Sequence, residues 1–137
     1  MLAARHVMRQ PLRTIQAADS VALAVRQMQI NQVSSLIVPP RFDGDAYGII
    51  TKHDVLGKVV APARDPNRVL VREVMSAPLI GVDPDCPLRK CASLLMLNRI
   101  RRLPVLVDGR PVGMLSDSDV FDALLNFHTE EALSASL

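Results

Sequence analysis

The sequence of 137 residues has no tryptophan, one tyrosine and three phenylalanines, and its 16 basic residues nearly balance its 14 acidic ones. Proteins that bind nucleic acid usually present a broad positive field, and those that bind single strands add aromatic side chains that stack on the bases. A formal net charge of +2 and so few aromatic rings provide neither feature. We therefore expect no nucleic-acid partner, and any anion site must be local.

Cysteine and long apolar runs are equally scarce. Cys86 and Cys91 lie five positions apart, which is not the spacing of a redox pair or of a four-ligand zinc set, so we expect two reduced thiols near one helix. His6, His53 and His128 have no ligand spacing with each other or with the cysteines, and no metal site is expected. No apolar run approaches the ~18 residues of a membrane span, and the N-terminus lacks a signal-peptide core. The cytoplasm is the expected location.

Sequence signs of catalysis are missing as well. We find no nucleophile with a base beside it, no repeated pair of acids close in sequence, and no glycine-rich loop of the type G-x-x-x-x-G-K. Hydrophobic residues make up 49% of the chain, which is enough for a real core. The sequence therefore favours a folded binding or interaction module over an enzyme.

What the sequence does contain is an internal repeat. Residues 48–54 read GIITKHD and residues 113–119 read GMLSDSD, so a glycine, a hydroxyl residue and an aspartate recur at the same spacing. In each copy the hydroxyl can cap a following helix while the carboxylate reaches back to the cap residue, a variant of the capping box. Capping alone is one interpretation of both stretches, and it requires no ligand.

The repeat extends well beyond these two stretches. Met8 and Pro11 recur 67 residues later as Met75 and Pro78. At the glycines the offset is 65, which places two additional residues in the loop at 39–48 of the first copy. A helical apolar stripe and a following asparagine also recur, as Val21, Val25, Met28 and Asn31 in the first copy and as Leu88, Ala92, Leu95 and Asn98 in the second.

Each copy is predicted to run strand, helix, strand, turn, strand, helix. In the first copy we predict a strand at 12–16, a helix from a cap at Asp19 or Ser20 to about Asn31, strands at 36–39 and 47–51, and a helix from Lys52. In the second we predict a helix beginning with Pro87 after a cap at Asp85 or Cys86, strands at 103–107 and 111–116 joined by a tight turn at Asp108-Gly109, and a helix from Asp117.

The predicted organisation is a first motif at residues 1–62, a linker at 63–70, a second motif at 71–128 and a tail at 129–137. Two strand-rich halves that each leave one face uncovered would bury those faces against each other. The expected fold is therefore α/β in the mixed, α+β sense, with two repeats related by a pseudo-two-fold axis.

These features together resemble a tandem pair of CBS domains, named after cystathionine β-synthase. The resemblance rests on the paired methionines and prolines, the strand RLPVLV and the doubled glycine, hydroxyl and aspartate stretch, and it covers residues 5–128. It implies a regulatory module of two β-α-β-β-α repeats that binds AMP, ADP, ATP or S-adenosylmethionine in clefts between the motifs. It also implies no cofactor beyond such a ligand, and a flat dimer of pairs.

The resemblance further implies that the carboxylate of one motif faces the first strand and the second helix-to-strand junction of the other. The first cleft, which is the expected nucleotide site, would contain Thr51, His53, Asp54, Pro78, Leu79, Ile80, Arg99, Arg101 and Arg102. The second cleft would contain Pro11, Leu12, Arg13, Ser34, Ser116, Ser118 and Asp119. A carboxylate can accept hydrogen bonds from vicinal ribose hydroxyls, and the N–H groups at a helix start favour phosphate oxygens.

Only the first of these residue sets is rich in arginine. Guanidinium groups offer forked hydrogen bonds to phosphate, whereas serines cannot neutralise one, so the first cleft is expected to prefer a phosphorylated nucleotide. The alternative is that Arg99, Arg101 and Arg102 form a solvated rim. If this segment is already strand, Arg99 and Arg101 share a face and Arg102 points to the opposite one.

Leu94, Leu95, Met96 and Leu97 are consecutive apolar residues that cover all sides of a predicted helix. Such a helix is either buried within the chain or covered by a partner, and we favour a partner in a homodimer. The expected function is a sensor of adenosine-containing ligands that signals to an effector protein, since the nine residues after His128 are too few for an effector domain. The alternative is an interaction module with vacant clefts whose role is dimerisation.

Overall fold

The computed structural model describes residues 2–126, and these residues belong to two units. Of the described residues, unit 1 contains 2–12 and 80–126, and unit 2 contains Arg13–Leu79. The predicted tail at 129–137 and His128 lie outside the described residues. The helices are α1 (Ala4–Val7), α2 (Val21–Asn31), α3 (Lys52–Val55), α4 (Val71–Val74), α5 (Leu88–Leu97) and α6 (Asp117–Asn126), and a π-helical segment, Leu56–Val60, continues α3. The strands are β1 (Ser35–Val38), β2 (Gly48–Thr51), β3 (Arg102–Val107) and β4 (Arg110–Ser116).

Helices α2 and α5, which occupy matching places in the two repeats, end in the same way. In α2 the Nδ2 of Asn31 donates to the Gln27 carbonyl at 2.9 Å, and in α5 the Nδ2 of Asn98 donates to the Leu94 carbonyl at 2.8 Å. The residue that follows each asparagine adopts the left-handed conformation, Gln32 at φ 54° and Arg99 at φ 52°. The repeated asparagine thus satisfies a carbonyl of the last turn, and the next residue ends the helix.

The predicted cap of α2 is confirmed at Ser20, whose Oγ accepts a hydrogen bond from the Leu23 N–H at 3.1 Å. The predicted start of α5 is wrong by one residue, because the helix begins at Leu88 and Pro87 itself is the cap residue. Pro87 has an extended ψ of 145°, and its carbonyl accepts hydrogen bonds from the N–H groups of Lys90 and Cys91. Neither Asp85 nor Cys86 is therefore the cap.

Each repeat contributes one antiparallel hairpin. Strand β1 pairs with β2 from Ser35–Thr51 to Val38–Gly48, and β3 pairs with β4 with an irregularity after Val105. The predicted turn at Asp108-Gly109 is confirmed, since both residues have positive φ, 52° and 77°, as a tight hairpin turn of this type requires.

The strand predicted at 12–16 is not formed as a strand. It is reduced to one parallel bridge between Thr14 and Ile37, matched in the second repeat by a bridge between Val82 and Val105. The chain leaves the sheet at Gln16, whose N–H donates to Asp19 Oδ2 and whose carbonyl accepts from the Asp19 N–H. This local turn leads into α2 and stops the pairing.

The opening segment of each repeat pairs with the hairpin of the other repeat. Within unit 1, Arg9 forms an antiparallel bridge with Met114 of β4, and within unit 2, Ser76 forms the same bridge with Ile49 of β2. The repeated glycines make room for these segments. A Cβ atom on Gly48 would lie 2.9 Å from the Ser76 carbonyl oxygen, and one on Gly113 would lie 2.5 Å from the Met8 sulfur.

Each unit has its own apolar core. In unit 2 the core includes residues of α2, both strands, α4, and the helical stretch after β2 (Val55 and Val59), together with Ile15, Ala17 and Val69 from the connecting segments. In unit 1 the core includes Ala4 of α1, both cysteines, Leu95 of α5 and the inward residues of β3 and β4. Each core therefore buries the short helix that precedes a methionine of the other repeat, α4 in unit 2 and α1 in unit 1.

We predict that Gly48→Ala lowers the free energy of unfolding by about 1 to 3 kcal/mol, because the added methyl group would press on a backbone oxygen that cannot rotate away. Chemical denaturation measures this change. The matched control is Gly57→Ala, where no atom lies within 4 Å of the new Cβ and a gain of about 0.4 to 1 kcal/mol is expected. Equal changes in the two variants would contradict the packing argument.

We predict that the two cysteines react slowly while the chain is folded. Burial raises the pKa of the Cys91 thiol to about 12, and the neighbouring Cys86 adds to the shift. Because the thiolate is the reactive form, the folded protein should react with a disulfide reagent at pH 8 far more slowly than the unfolded protein does. Equal reaction rates in buffer and in denaturant would contradict this prediction.

The raised pKa of Cys91 also means that the free energy of unfolding falls at alkaline pH. A pKa that is higher in the folded state favours folding of the protonated form, so this contribution is complete below about pH 9 and is lost as the pH rises toward 12. Cys91→Ala should lose less stability than the parent chain between pH 9 and pH 11.

Candidate functional site

The hydroxyl and carboxylate of the first repeated stretch form a closed hydrogen-bonded box at the start of α3. Thr51 Oγ1 accepts a hydrogen bond from the Asp54 N–H at 3.1 Å. Asp54 Oδ2 in turn accepts from both the N–H and the Oγ1 hydroxyl of Thr51, each at 2.9 Å. The capping role predicted from the sequence is confirmed here, and it uses one of the two carboxylate oxygens.

The second stretch repeats this box at the start of α6. Ser116 Oγ accepts a hydrogen bond from the Asp119 N–H at 3.0 Å, and Asp119 Oδ2 accepts from the Ser116 N–H at 2.9 Å. Each box therefore fixes one oxygen of its aspartate and leaves Oδ1 to face other groups.

The surroundings of the two Oδ1 atoms differ. The charged neighbour of Asp54 Oδ1 is the Lys58 ammonium at 3.9 Å, whose own hydrogen bond goes to the Val74 carbonyl at 3.0 Å. Asp119 Oδ1 instead accepts a hydrogen bond from Arg9 Nε at 2.7 Å. The Asp119 side chain is 7% exposed beneath an Arg9 side chain that is 77% exposed. A surface guanidinium thus covers a buried carboxylate.

The ion pair with Asp119 changes the pKa of Arg9. The hydrogen bond to Asp119 and then the negative charge of that residue raise the pKa of Arg9, and Asp122 adds to the effect. The guanidinium therefore carries its full charge at any pH at which the protein is folded.

Unit 2 brings together several residues of the expected nucleotide site. His53 is exposed on α3 beside Thr51 and Asp54. The chain at Pro78 and Leu79 runs along the same hairpin, because the Leu79 N–H donates to the Tyr47 carbonyl at 3.1 Å, just before β2. From the second set, unit 2 also contains Arg13 and Ser34, and the Ser34 carbonyl accepts a hydrogen bond from the Lys52 N–H at 2.9 Å.

Unit 1 contains the other members of both sets. Pro11 and Leu12 follow the bridge of Arg9 to β4, and Ser118 is exposed on α6 with its N–H donating to Asp117 Oδ1 at 2.8 Å. Ile80, Arg99, Arg101 and Arg102 belong to this unit as well. The assignment of these four residues to the cleft of Thr51 and Asp54 stays a prediction.

The three arginines do not continue one strand. Arg99 ends α5 in the left-handed conformation, and β3 begins only at Arg102, which pairs with Ser116 across the hairpin. Arg99 and Arg101 would share a face only if both belonged to a strand, and they do not. Arg101 is 79% exposed on its side chain, and its Nε lies 3.3 Å from Asp117 Oδ2.

Three residues near the boxes were missed from the sequence: Arg9, Lys58 and Asp117. The repeat contained a signal for the first, because Arg9 occupies the position of Ser76 in the second copy, and such a break in an otherwise matched repeat indicates a local difference in chemistry. Lys58 lies one helical turn after Asp54, a spacing at which opposite charges meet.

No group of three or more histidine, cysteine, aspartate or glutamate side chains that could hold a metal ion occurs within residues 2–126. The helices of that same range are all too short or too polar to cross a membrane.

Comparison with known proteins identifies the repeat. A family model for the CBS domain matches the chain twice, at residues 4–61 and 71–126. The mitochondrial CBS domain-containing protein CBSX3 of Arabidopsis thaliana is 34% identical over 116 residues, which are 82% of this chain and 56% of that protein. The chain therefore spans little more than half the length of this relative.

Solved structures share the fold. The hexameric CBS-CP12 protein from bloom-forming cyanobacteria matches with a TM-score of 0.83 and 37% identity, over 88% of this chain and 70% of that one. The CBS domain pair of protein MJ0100, solved in complex with 5′-methylthioadenosine and S-adenosyl-L-methionine, matches with a TM-score of 0.77 over 91% of this chain and 97% of that one. At 21% identity this second likeness is one of fold alone.

Proposed function

Because the chain belongs to the CBS-domain family, we propose that it is a regulatory module that binds an adenosine-containing ligand and passes this signal to a partner protein. The ligand class is AMP, ADP, ATP or S-adenosylmethionine. The role is regulatory and not catalytic, since both halves of the chain match this domain.

The observation that carries the proposal is the arrangement of Asp54. Its Oδ2 is held by Thr51, while Oδ1 has the Lys58 ammonium 3.9 Å away, beyond hydrogen-bonding distance. An ionised carboxylate held in one orientation, with an oxygen that can accept further hydrogen bonds, suits the vicinal hydroxyls of ribose. The cap orients the carboxylate, so little conformational entropy is lost when ribose binds.

The arginines of unit 1 support a phosphorylated ligand. Arg99 and Arg101 are exposed, and the guanidinium of Arg101 meets the Asp117 carboxylate in an exposed ion pair at 3.3 Å, which is a weak interaction in water. Their guanidinium groups can be recruited by phosphate at little cost. We propose that Arg99, Arg101 and Arg102 serve the phosphate of the nucleotide whose ribose Asp54 binds.

A second candidate function is an interaction module that dimerises without a ligand. Met96 is 65% exposed and Leu97 is 79% exposed on α5, and Ile30, the counterpart of Leu97 on α2, is 67% exposed. Exposed apolar side chains at matched places of both repeats favour burial against another protein surface. We propose a homodimer for both candidates; in this second one the clefts are vacant and dimerisation itself is the role.

A thermal-shift screen with AMP, ADP, ATP, S-adenosylmethionine and NADH separates the two candidates. A ligand at 100 times its dissociation constant adds about 2.7 kcal/mol of stability, which corresponds to a melting shift on the order of 5 °C or more in a domain of this size. If none of these ligands raises the melting temperature, the interaction module is favoured. The proposed cytoplasmic location is tested by cell fractionation, since the plant relative is mitochondrial.

We predict that Asp54→Ala and Arg101→Ala each weaken AMP binding by roughly ten- to a hundredfold, because each removes a charge-assisted hydrogen bond worth about 1.5 to 3 kcal/mol. Asp119→Ala should have a much smaller effect. Titration calorimetry measures all three variants.

Unphosphorylated adenosine is the control ligand for this series. Its binding should be weakened by Asp54→Ala and be nearly unaffected by Arg101→Ala, because adenosine has no phosphate for a guanidinium to contact. If Asp119→Ala abolishes AMP binding while Asp54→Ala leaves it intact, the proposed site is in the wrong repeat and the arginines are a solvated rim.

We predict that Leu97→Glu shifts the protein toward monomer, since a carboxylate at the proposed interface would be buried without a partner. Light scattering measures the mass, and the unmodified chain is expected near twice 15.0 kDa. The matched control is Val107→Glu, which places the same charge at a 43% exposed apolar residue at the end of β3. A mass near 15.0 kDa for the unmodified protein would refute the dimer.

A further inference from the structure

Arg9 and Ser76 occupy equivalent places in the two units. The Arg9 N–H donates to the Met114 carbonyl at 2.8 Å and the Met114 N–H returns a bond to the Arg9 carbonyl at 3.2 Å. Ser76 and Ile49 exchange the same two bonds, both at 2.9 Å. Asp119 follows Met114 by five residues, and Asp54 follows Ile49 by five. The backbone therefore presents residue 9 to Asp119 as it presents residue 76 to Asp54.

The side chains at these two places have opposite chemistry. Arg9 is long enough to reach the carboxylate, and its Nε donates to Asp119 Oδ1 at 2.7 Å, while Ser116 holds Oδ2. The short, neutral Ser76 leaves Asp54 Oδ1 with Lys58 at 3.9 Å. Thus both oxygens of Asp119 accept hydrogen bonds from the protein, whereas in Asp54 only Oδ2 does so among the residues described.

From this contrast we propose that Arg9 occupies Oδ1 of Asp119 and thereby lowers the affinity of the second repeat for the ribose hydroxyls of an adenosine-containing ligand. We call this contact the Arg9 latch. The proposal rests on the proposed function, since it assigns Asp119 the same ribose chemistry as Asp54. A ribose hydroxyl can donate to Asp119 Oδ1 only when it displaces or shares the guanidinium, which is a charged and therefore stronger donor. The same ligand then binds the two repeats with unequal affinities.

Burial strengthens the latch. The Asp119 side chain is 7% exposed, so its charge is poorly solvated and depends on the guanidinium above it. Asp54 is more exposed, at 14%, and its capping threonine supplies a hydroxyl donor that serves the same oxygen as the backbone N–H. A ligand at Asp119 must therefore displace or share the exposed guanidinium that compensates a buried carboxylate, while a ligand at Asp54 adds hydrogen bonds to an oxygen that accepts none from the described residues.

The test exchanges the two residues between the repeats. Arg9→Ser is made in a chain that also carries Asp54→Ala, so that only the Asp119 carboxylate remains. Ser76→Arg is made in a chain that also carries Asp119→Ala, so that only Asp54 remains. Titration calorimetry with adenosine and with AMP then reports the affinity of one carboxylate at a time, and thermal melting shows that each variant is folded.

We expect Arg9→Ser to raise the affinity for both adenosine and AMP at Asp119 by roughly tenfold or more, the effect of removing one charged competitor. Ser76→Arg should lower the affinity at Asp54 by a similar factor. Unchanged affinity for adenosine after both exchanges would overturn the latch. Loss of AMP but not adenosine binding after Arg9→Ser would also overturn it, since Arg9 would then contact phosphate.

The Asp119→Ala chain without further change separates this inference from the function on which it rests. If that chain binds adenosine and AMP while Arg9→Ser has no effect at Asp119, only the latch is wrong. If that chain binds neither ligand at Asp54, the proposed function fails first. If Arg9→Ser destabilises the fold, Ser76→Arg still decides the matter, because it adds the guanidinium at an exposed position.

Discussion

The rest of the structure depends on two antiparallel bridges between the opening segment of one repeat and the hairpin of the other. Arg9 pairs with Met114 and Ser76 pairs with Ile49, and each bridge gives a β-strand hydrogen-bond partners on its outer edge. Gly48 and Gly113 permit the approach, since a methyl group at either position would collide with the arriving segment. The bridges also bring residues 9 and 76 beside the carboxylates, so the same contact that completes the fold determines the chemistry of the site.

The close match of the two capping boxes makes the difference between them informative. Both boxes fix one carboxylate oxygen with the same hydrogen bond from the cap residue, at 2.9 Å in each case. What distinguishes them is the remaining oxygen, which accepts a hydrogen bond from Arg9 in one unit and has the Lys58 ammonium 3.9 Å away in the other. The two units therefore share one local architecture and differ in the group that faces Oδ1 of the aspartate.

The sequence predicted the features that depend on neighbours within a few residues. The Ser20 cap, the box of Thr51 and Asp54, the turn at Asp108-Gly109 and the starts of α3 and α6 follow from local hydrogen bonds and conformational preferences. The family resemblance, which the comparisons confirm, supplied the rest of the fold. The ion pair of Arg9 and Asp119 was missed because 110 residues separate its partners, and no local rule connects them. The strand at 12–16 failed because the turn around Asp19 competes with pairing.

The exchange of opening segments has a consequence for how such a chain can arise. A gene encoding one repeat alone would produce a hairpin edge without its partner and an opening segment without its edge, and two copies of that product could satisfy each other. Fusion of two such genes turns this encounter into an intramolecular one, in which the tether replaces bulk concentration by a local concentration on the order of millimolar. Once fused, each copy is free to mutate its segment independently, which is how an arginine and a serine can occupy equivalent places.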